Sequence, residues 1–556
     1  MTSFQPLLRA PPFPELKPCF REITPPNPTK DEGVQEGLFA RLREARVGGA
    51  FWLPQWAANT HQDALTYVVR CADHDCPQTT EGSTLRLAPK DEAHAVDPWS
   101  VLPHAKHLIA HGGDEWIAIA VALGLEVEVL SPGPYGEPGE THSALETRAF
   151  HALTVPFPDP FGEGDLSPEE AITLLGDWRR VLDGNMGNAS SALSKQRIVA
   201  ACGMSWWKRE EIRRFLWSPG SELAIHRSAA RAVDAAAALG GALAVWPSRI
   251  SPDLEEKARA KGVDLVRVED GFVRSVGLGS DLVPPLSVIV DRTGIHYDPS
   301  RPSDLETLLN ETQFSSATLE RAAQLRATIV EARISKYGAG SAPGNAALTT
   351  KPTQAKRIVL VPGQVEDDMS VLLGGQGLAS NLELLRRARK LEPDAEIWWR
   401  PHPDVDAGHR EGAVDDAAAM EHAHRIVRGG SMSDLLDQVD ALHTLTSLSG
   451  FEALLRGCDV TCHGVPFYAG WGLTRDLGDV PDRRARNLSL DELVAGVLLL
   501  YPRYLDPVNG LPCPAETLIA RVAQGEAENR LGWVQPVRQL QGRIMRRIRA
   551  IGGGRA

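Results

Sequence analysis

The sequence has few cysteines, no long hydrophobic segment and no excess of positive charge, and each shortage excludes a class of protein. Its seven cysteines are an odd number spread over 556 residues, a pattern that does not fit a disulfide framework and favours a reducing compartment. Cys71 and Cys76 flank Asp73 and His74. Because no second Cys/His pair lies at zinc spacing, we expect no metal site.

No run approaches the roughly 20 apolar residues of a membrane-spanning helix. Prolines interrupt residues 1–18, where a signal peptide would carry its apolar stretch. These features predict a cytoplasmic protein, attached at most to the inner membrane. Lysine and arginine number 59 against 72 acidic residues, a net charge of -13. A nucleic-acid surface would have to be cationic and is therefore not expected; an anionic ligand would need a local positive pocket.

What the sequence does contain is ample material for a hydrophobic core, with 43% hydrophobic residues and a mean hydropathy of -0.20. At roughly 150 residues per domain, the chain has room for three or four compact units. Short apolar runs alternate with amphipathic segments, which favours α/β domains with parallel sheets. The runs are 242–246, 263–268, 286–290, 357–361, 396–399 and 440–445.

Two segments predict the domain boundaries. Residues 337–355 are rich in Gly, Pro, Ser and Thr, as in a linker. A proline-rich stretch at 155–165 precedes Ser167, which we expect to begin a helix as its N-cap. The predicted organisation is a separate α/β unit at 1–155, Rossmann-like domains at 165–336 and 356–515, and a tail at 530–556.

An internal similarity indicates a duplication. Segments 99–139 and 432–472 align without a gap at a constant offset of 333. In this alignment Asp114 occupies the position of Ser447. Any anion binding by Ser447 is then missing from the first copy, so we expect the unit at 1–155 to be degenerate and not catalytic.

Candidate catalytic residues directly follow the predicted strands, at the edge where parallel sheets bind their ligands. The four groups are Glu269-Asp270 before Gly271, Gln364 with the acids 366–368, Arg400-Pro401-His402-Pro403, and Ser447 and Ser449 with Glu452.

Each group also has a structural interpretation. Two carboxylates before a glycine commonly form a solvated turn, and prolines around His402 can simply stiffen a loop. Ser447 and Ser449 are by default helix N-caps, although the same geometry favours a bound anion. The acids 366–368 could hold a divalent ion, but three consecutive acids cannot all point one way, which favours a solvated loop. Taken together, the four groups favour a functional interpretation. The carboxylates lie before the linker, and the imidazole and the hydroxyl-rich helix start lie after it. This arrangement indicates an inter-domain cleft that binds a sugar nucleotide, and hence glycosyl transfer.

These residues resemble the capsular polysaccharide β-Kdo transferases, which build the oligo-Kdo linker on lysophosphatidylglycerol. The resemblance covers roughly 165–515. The motifs that carry it are Trp206-Trp207-Lys208-Arg209, Glu269-Asp270-Gly271-Phe272 with Arg274-Ser275, Val290-Asp291 with Gly294-Ile295 and Tyr297-Asp298, 362–368, Pro401-His402-Pro403-Asp404-Val405, Thr446-Ser447 with 450–454, and 466–472. Bacterial sialyltransferases, which also use a CMP-activated ulosonic acid, have a similar trio of motifs.

The resemblance implies a fold of GT-B type, a CMP-Kdo donor, retention of configuration, and neither metal nor cofactor. Asp270 would be the nucleophile of a double displacement, with Glu269 as a second catalytic carboxylate. The implied nucleotide-binding residues are Gln364, His402, Ser447, Ser449 and Glu452, and the implied substrate-binding residues are Lys208, Arg274 and Arg400, of which Lys208 or Arg274 would meet the Kdo carboxylate.

Two other functions remain open at this point. A non-hydrolysing epimerase also has two nucleotide-sugar domains, but would require uridine. The chain could also be an inactive scaffold of a capsule assembly and export complex, against which the intact Asp270 and His402 argue. The region before 165 lacks both motifs, so we expect a single Kdo linkage to be formed.

The C-terminal segment 530–556 carries seven arginines and no acid. Within it, apolar residues recur at steps of 3, 4, 4 and 3 from Val537 to Ile551. A helix there would pair an apolar stripe with an arginine face, as in an anchor on an anionic membrane surface. The same helix could instead pack on its own acidic protein, and the sequence does not separate the two.

Overall fold

The computed structural model describes residues 6–16, 32–56, 65–71, 82–89, 95–188, 196–273, 283–335, 338–339, 356–408 and 410–527. The chain is α/β and divides into two compact units, Met1–Ala189 with Trp217–Glu222, and Ser190–Leu216 with Leu223–Ala556. No helix in the described part of the chain is long and apolar enough to cross a bilayer. The basic tail 530–556 lies outside the described residues.

The first unit is built on four parallel strands in the order β2-β1-β3-β4. Its α-helices and strands are α1 (Glu32–Ala45), β1 (Leu65–Arg70), β2 (Thr84–Arg86), β3 (Ala105–Ala110), α2 (Trp116–Ala122), β4 (Glu126–Val129), α3 (His142–Leu153), the hairpin β5 (Phe157–Pro158) and β6 (Asp165–Leu166), and α4 (Pro168–Met186).

The first unit extends beyond the predicted boundary at 155–165 because α4 packs against α1. Ser167 begins α4 as predicted, in a capping box with Glu170. Arg179 on α4 donates a hydrogen bond of 2.5 Å to Asp97, and both side chains are buried. This ion pair ties α4 to the first unit.

The second unit begins with a seven-stranded sheet. Its first five strands are β7 (Ile198–Cys202), β8 (Ala224–His226), β9 (Ala242–Val245), β10 (Leu265–Asp270) and β11 (Ser287–Asp291). Strands β8, β7, β9 and β10 are parallel neighbours, and β11 runs antiparallel to β10. The α-helices are α5 (Arg209–Phe215), α6 (Ala229–Ala238), α7 (Pro252–Ala260), α8 (Asp304–Glu311) and α9 (Ser316–Glu331), followed by the short hairpin β12 (Ile334–Ser335) and β13 (Gly338–Ala339).

A second sheet of this unit contains six parallel strands in the order β16-β15-β14-β17-β18-β19. The strand β14 is buried along its whole length, as expected for an inner strand of a parallel sheet. The strands are β14 (Ile358–Pro362), β15 (Glu396–Arg400), β16 (Arg425–Ile426), β17 (Ala441–Thr444), β18 (Asp459–Cys462) and β19 (Arg475–Asp476). The α-helices are α10 (Met369–Gly374), α11 (Asn381–Leu391), α12 (Pro403–Asp406), α13 (Asp416–Met420), α14 (Met432–Leu436), α15 (Leu448–Leu455) and α16 (Leu490–Val494), which continues into a π-helical turn at Ala495–Leu500.

The end of the described chain returns to the seven-stranded sheet. Strands β20 (Pro502–Leu505) and β21 (Pro512–Cys513) extend it beyond β11, and α17 (Ala515–Gln524) follows. The predicted domain at 356–515 therefore does not coincide with the second sheet and its helices. Its last segment contributes to the sheet of the preceding domain.

A cluster of arginines links the two sheet domains of the second unit. Arg484 is almost fully buried and donates to Glu306 on α8 at 2.7 Å and to the carbonyl oxygens of Pro466 and Ala469. Arg483 donates to the same carboxylate at 2.7 Å. We call these three side chains, Glu306, Arg483 and Arg484, the carboxylate clamp. It fixes the segment 466–469 to α8.

The observed elements support the duplication. Shifting α2 by the offset of 333 places it on 449–455, within α15, and β4 falls on β18, residue for residue. In their sheets, β3 lies between β1 and β4, and β17 lies between β14 and β18, with parallel pairing throughout. The first unit therefore repeats the local topology of the second sheet.

Candidate active site

Asp270 is the last residue of β10, a central strand of the seven-stranded sheet. A Cβ at Gly271 would collide with the Ser287 side chain on β11, so the residue after Asp270 has to be glycine for the chain to pass. Glu269 turns back and its carboxylate accepts the backbone N–H of Asp270 at 2.9 Å. The predicted carboxylate pair is thus a defined strand ending rather than a solvated turn.

Lys208 forms an ion pair with Asp270. Its Nζ lies 2.9 Å from Asp270 Oδ1, and the side chains are 9% and 20% exposed, respectively. The ammonium also lies 3.6 Å from the ring centroid of Trp246, which follows β9, and 5.0 Å from that of Trp207. Aromatic faces attract cations, so the ammonium is held in place by more than its carboxylate partner.

Tyr297 is a partly buried residue of the loop after β11. Burial raises the pKa of its phenol, and the nearby carboxylates of Glu269 and Asp368 raise it further. Glu269 belongs to the seven-stranded sheet and Asp368 to the loop after β14. The phenol therefore stays protonated near pH 7 and can donate a hydrogen bond.

The serine pair lies at the start of α15, where the helix dipole favours an anion. Ser447 is the N-cap and accepts the backbone N–H of Ser449 at 3.2 Å and its hydroxyl at 2.7 Å. Tyr468 donates to the Ser447 carbonyl oxygen at 2.5 Å. The capping role is thus present, and the helix terminus it organises is also suited to hold a phosphate.

Gln364 organises the loop between β17 and α15. The side-chain oxygen Oε1 of Gln364 accepts hydrogen bonds from the Thr444 hydroxyl and from the backbone N–H groups of residues 445 and 446, at 3.0–3.2 Å. Its amide donates to the Thr446 hydroxyl at 3.0 Å. The predicted contact with nucleotide stays a prediction, but the geometry shows that Gln364 positions the loop that leads to Ser447.

His402 caps the short helix α12. Its Nδ1 accepts the backbone N–H of Asp404 at 3.2 Å. This bond assigns the proton of the neutral ring to Nε2, which makes that nitrogen a donor.

Arg400 donates to the carbonyl oxygens of Gly429 and Gly430 at 2.9 and 2.8 Å. Its guanidinium is therefore bound to the main chain. The contact between Arg400 and substrate stays a prediction.

The remaining candidate residues are Glu452, Arg274 and the acids 366–368. Glu452 is buried on α15, one turn after Ser449. Arg274 lies outside the described residues. The three consecutive acids turn to separate partners: Glu366 accepts the backbone N–H of residue 381, Asp367 pairs with Arg410, and Asp368 caps α10.

Aromatic rings join the two halves of the site. Phe272, two residues after Asp270, lies 4.6 Å from Phe467 and 6.4 Å from Phe451 between ring centroids. Phe451 lies on α15, two residues after Ser449. The strand end that carries Asp270 therefore packs on the helix that carries the serine pair.

The sequence did not predict a role for four aromatic residues of the site. Trp246, Phe272, Tyr297 and Tyr468 had no assigned role, although three of them lie within the motifs quoted above. Aromatic residues directly after strands, or within a Pro-Phe-Tyr motif, could have been noted as walls of a cleft. Their partners, however, are distant in sequence.

Two buried histidines lie beside each other in the second sheet domain. Nδ1 of His443 on β17 and Nε2 of His463 after β18 are 3.1 Å apart. Burial lowers the pKa of His443 to about 4 and that of His463 to about 3. Both rings are therefore neutral near pH 7.

Comparison with known proteins gives consistent matches. The family of capsule polysaccharide biosynthesis proteins matches residues 241–504, which include Asp270, His402 and the serine pair. The chain is 41% identical over 354 residues to the capsule polysaccharide modification protein LipA of Neisseria meningitidis serogroup A, covering 61% of this chain and 49% of LipA. It thus spans about half the length of that relative.

Two solved structures of KpsC from Thermosulfurimonas dismutans are also similar. The β-Kdo 2,4 transferase is 33% identical, with 59% of this chain and 98% of that chain covered and a TM-score of 0.50. The β-Kdo 2,7 transferase is 36% identical, with 59% and 99% covered and a TM-score of 0.48.

Proposed function

Because this chain belongs to the capsular polysaccharide β-Kdo transferase family, we propose that it is a retaining glycosyltransferase that takes Kdo from CMP-Kdo. The packing of Phe272 on Phe451 and Phe467 supports this function most directly. It joins the strand that carries Asp270, the proposed catalytic carboxylate, to α15, whose start is the proposed phosphate site, and a sugar nucleotide needs both.

In the first step, the Asp270 carboxylate attacks the anomeric carbon of Kdo. A bond forms between Asp270 and that carbon while the carbon–oxygen bond to the phosphate breaks, and CMP leaves with the electron pair. In the second step an acceptor hydroxyl attacks the same carbon, its proton passes to Glu269, and Asp270 is released. Two inversions give retention.

The nucleotide half lowers the barrier by stabilising the departing phosphate. Its proposed donors are Nε2 of His402 and the hydroxyls of Ser447 and Ser449 at the start of α15. Gln364 and Glu452 are proposed to contact the nucleotide. Lys208, Arg274 and Arg400 are the proposed contacts to the rest of the substrate. No metal or other cofactor is needed in this scheme, because the donors neutralise the charge on CMP.

The acceptor is proposed to be a Kdo-primed or lysophosphatidylglycerol-type lipid on the cytoplasmic side of the inner membrane. The segment 536–556 would bind the anionic surface, where each basic residue contributes about 1 kcal/mol. A capsule assembly and export complex is the proposed protein partner. The first unit is proposed not to catalyse transfer.

The test is to incubate the protein with CMP-Kdo and a synthetic Kdo-terminated acceptor and to determine the product linkage by NMR. Asp270→Ala should abolish transfer while CMP affinity changes by no more than a few-fold, since a nucleophile acts on the sugar. In a slow variant, a Kdo mass should appear on the peptide that contains Asp270. Near-normal turnover of Asp270→Ala, or a requirement for a uridine nucleotide, would contradict the proposed function.

A further inference from the structure

Lys208 is placed to serve two carboxylates in turn. It is buried, with 7% of the residue exposed, and its Nζ lies 2.9 Å from Asp270 Oδ1. An ammonium has three N–H groups, and Trp246 and Trp207 hold it from the ring side. The lysine therefore keeps its position even when its bond to Asp270 is broken.

The ion pair with Lys208 lowers the nucleophilicity of the Asp270 carboxylate. A charge-assisted hydrogen bond at 2.9 Å is strong, and it occupies an oxygen of the carboxylate that has to form the new bond. The Asp270 side chain is 20% exposed against 9% for Lys208. The Asp270 carboxylate is therefore more accessible to a ligand than the Lys208 ammonium.

The donor of the proposed function brings a second negative charge to the same point. In an ulosonic acid, a carboxylate is attached directly to the anomeric carbon. Attack requires the Asp270 oxygen to come within about 3–3.5 Å of that carbon, so the two carboxylates must approach each other closely. Like charges at such distances repel strongly where water is scarce. The ammonium already on Asp270 is in reach of the incoming carboxylate.

Resting on the proposed function, we propose that Lys208 exchanges partners, from the Asp270 carboxylate to the carboxylate of the donor. The exchange frees Asp270 for attack and neutralises the donor's charge in one movement. It also restricts the reaction to donors with a carboxylate on the anomeric carbon, since a neutral sugar has nothing to offer Lys208 and leaves Asp270 paired. Lys208 is in this sense both a specificity and a positioning residue.

Binding measurements distinguish this exchange from a purely structural lysine. Affinities for CMP and for CMP-Kdo are measured by titration calorimetry with wild type, Asp270→Asn, Lys208→Met and the double variant. If Asp270 competes with the donor for Lys208, Asp270→Asn should raise the CMP-Kdo affinity relative to CMP by about tenfold or more. Lys208→Met should reduce that ratio to near one, and adding Asp270→Asn to it should have no further effect.

Lys261→Met is the matched control, because Lys261 pairs with Asp234 at 2.6 Å on the surface of the same sheet domain. It should leave the ratio unchanged. An Asp270→Asn variant that shows the wild-type ratio or a lower one would overturn the exchange, whether or not Lys208→Met folds. If wild type transfers Kdo but the ratio does not rise, only the exchange fails; if wild type neither binds nor transfers Kdo, the proposed function fails.

Discussion

Glu306→Gln should destabilise the second unit far more than an ordinary carboxylate substitution. Glu306 is 5% exposed and accepts hydrogen bonds from Arg483 and Arg484, and the Arg484 side chain is 1% exposed. The neutral amide would leave the buried Arg484 charge with carbonyl oxygens alone. Breaking a buried ion pair by removing one partner costs about 3–5 kcal/mol.

The matched control is Glu516→Gln. Glu516 pairs with Arg321 at 2.8 Å, but the side chains are 38% and 28% exposed. Exposed pairs contribute about 0–1 kcal/mol, so this variant should unfold close to wild type. Urea unfolding of the three proteins, monitored by tryptophan fluorescence, measures the difference. Equal midpoints for the two variants would refute the assignment of the carboxylate clamp as a buried structural ion pair.

Glu306→Gln should also affect the nucleotide site. The clamp holds segment 466–469, and Tyr468 in that segment donates to the Ser447 carbonyl oxygen at 2.5 Å. At a temperature where the variant is folded, its CMP affinity should fall, while that of Glu516→Gln should not. Unchanged CMP binding would show that the helix start keeps its shape without the clamp.

Four further predictions concern the site, the pH dependence, the first unit and the tail. His402→Ala, and separately the double alanine variant of the serine pair, should weaken CMP binding about ten- to a hundredfold, since each loses a charge-assisted donor of roughly 1.5–3 kcal/mol; unchanged titrations in both would restore the capping and rigid-loop interpretations. The buried histidine pair has lowered pKa values of about 4 and 3, so the unfolded state binds protons first, near its ordinary value of about 6.5. The free energy of unfolding should therefore be highest above pH 6.5 and fall as the pH drops toward 4, by about 3 kcal/mol per histidine, and His463→Asn should show a shallower decrease in pH-dependent urea unfolding than wild type. Asp114→Ala should leave transfer to a soluble acceptor nearly intact, and a large drop in turnover of the folded variant would assign the first unit a part in catalysis. Deleting 536–556 should weaken sedimentation with anionic vesicles and spare activity on a soluble acceptor, and binding of the full chain should fall as salt rises; equal sedimentation of both proteins would exclude the anchor.

Much of the second sheet could be predicted from the sequence because its strands are short apolar runs between polar segments. The predicted run 396–399 corresponds to β15 at Glu396–Arg400, and 357–361 to β14 at Ile358–Pro362. Burial on both faces requires such runs, so local composition suffices to find them. The candidate residues follow from the same reasoning, because ligands bind at the carboxyl ends of parallel strands.

Long-range pairing could not be predicted in the same way. Strand β20 adds to β11 across more than two hundred residues of chain, and no local pattern specifies that partner. The bond between Lys208 and Asp270 joins residues 62 positions apart on different elements. Gln364 illustrates a further limit: the sequence predicts a ligand contact for this side chain but gives no sign that its side-chain carbonyl oxygen accepts three hydrogen bonds from the neighbouring loop.

In the first unit, the carboxylate of Asp114 occupies the position that aligns with Ser447. Arg70, at the end of β1, pairs with Asp114 at 2.6 Å, both are buried, and the guanidinium lies 4.1 Å from the Trp116 ring centroid. Asp114 in turn accepts the backbone N–H of Trp116 at 3.1 Å. A side chain has thus replaced the ligand that such a helix start would otherwise attract.

The two copies should therefore respond differently when CMP is added during heating. A ligand that binds only the folded state raises stability by RT ln(1 + [L]/Kd), about 2.7 kcal/mol at a hundredfold excess over Kd. That gain applies to the copy with the serine pair. The copy with Arg70 and Asp114 has a side-chain carboxylate at that place, so CMP should leave the stability of the first unit unchanged and raise that of the second.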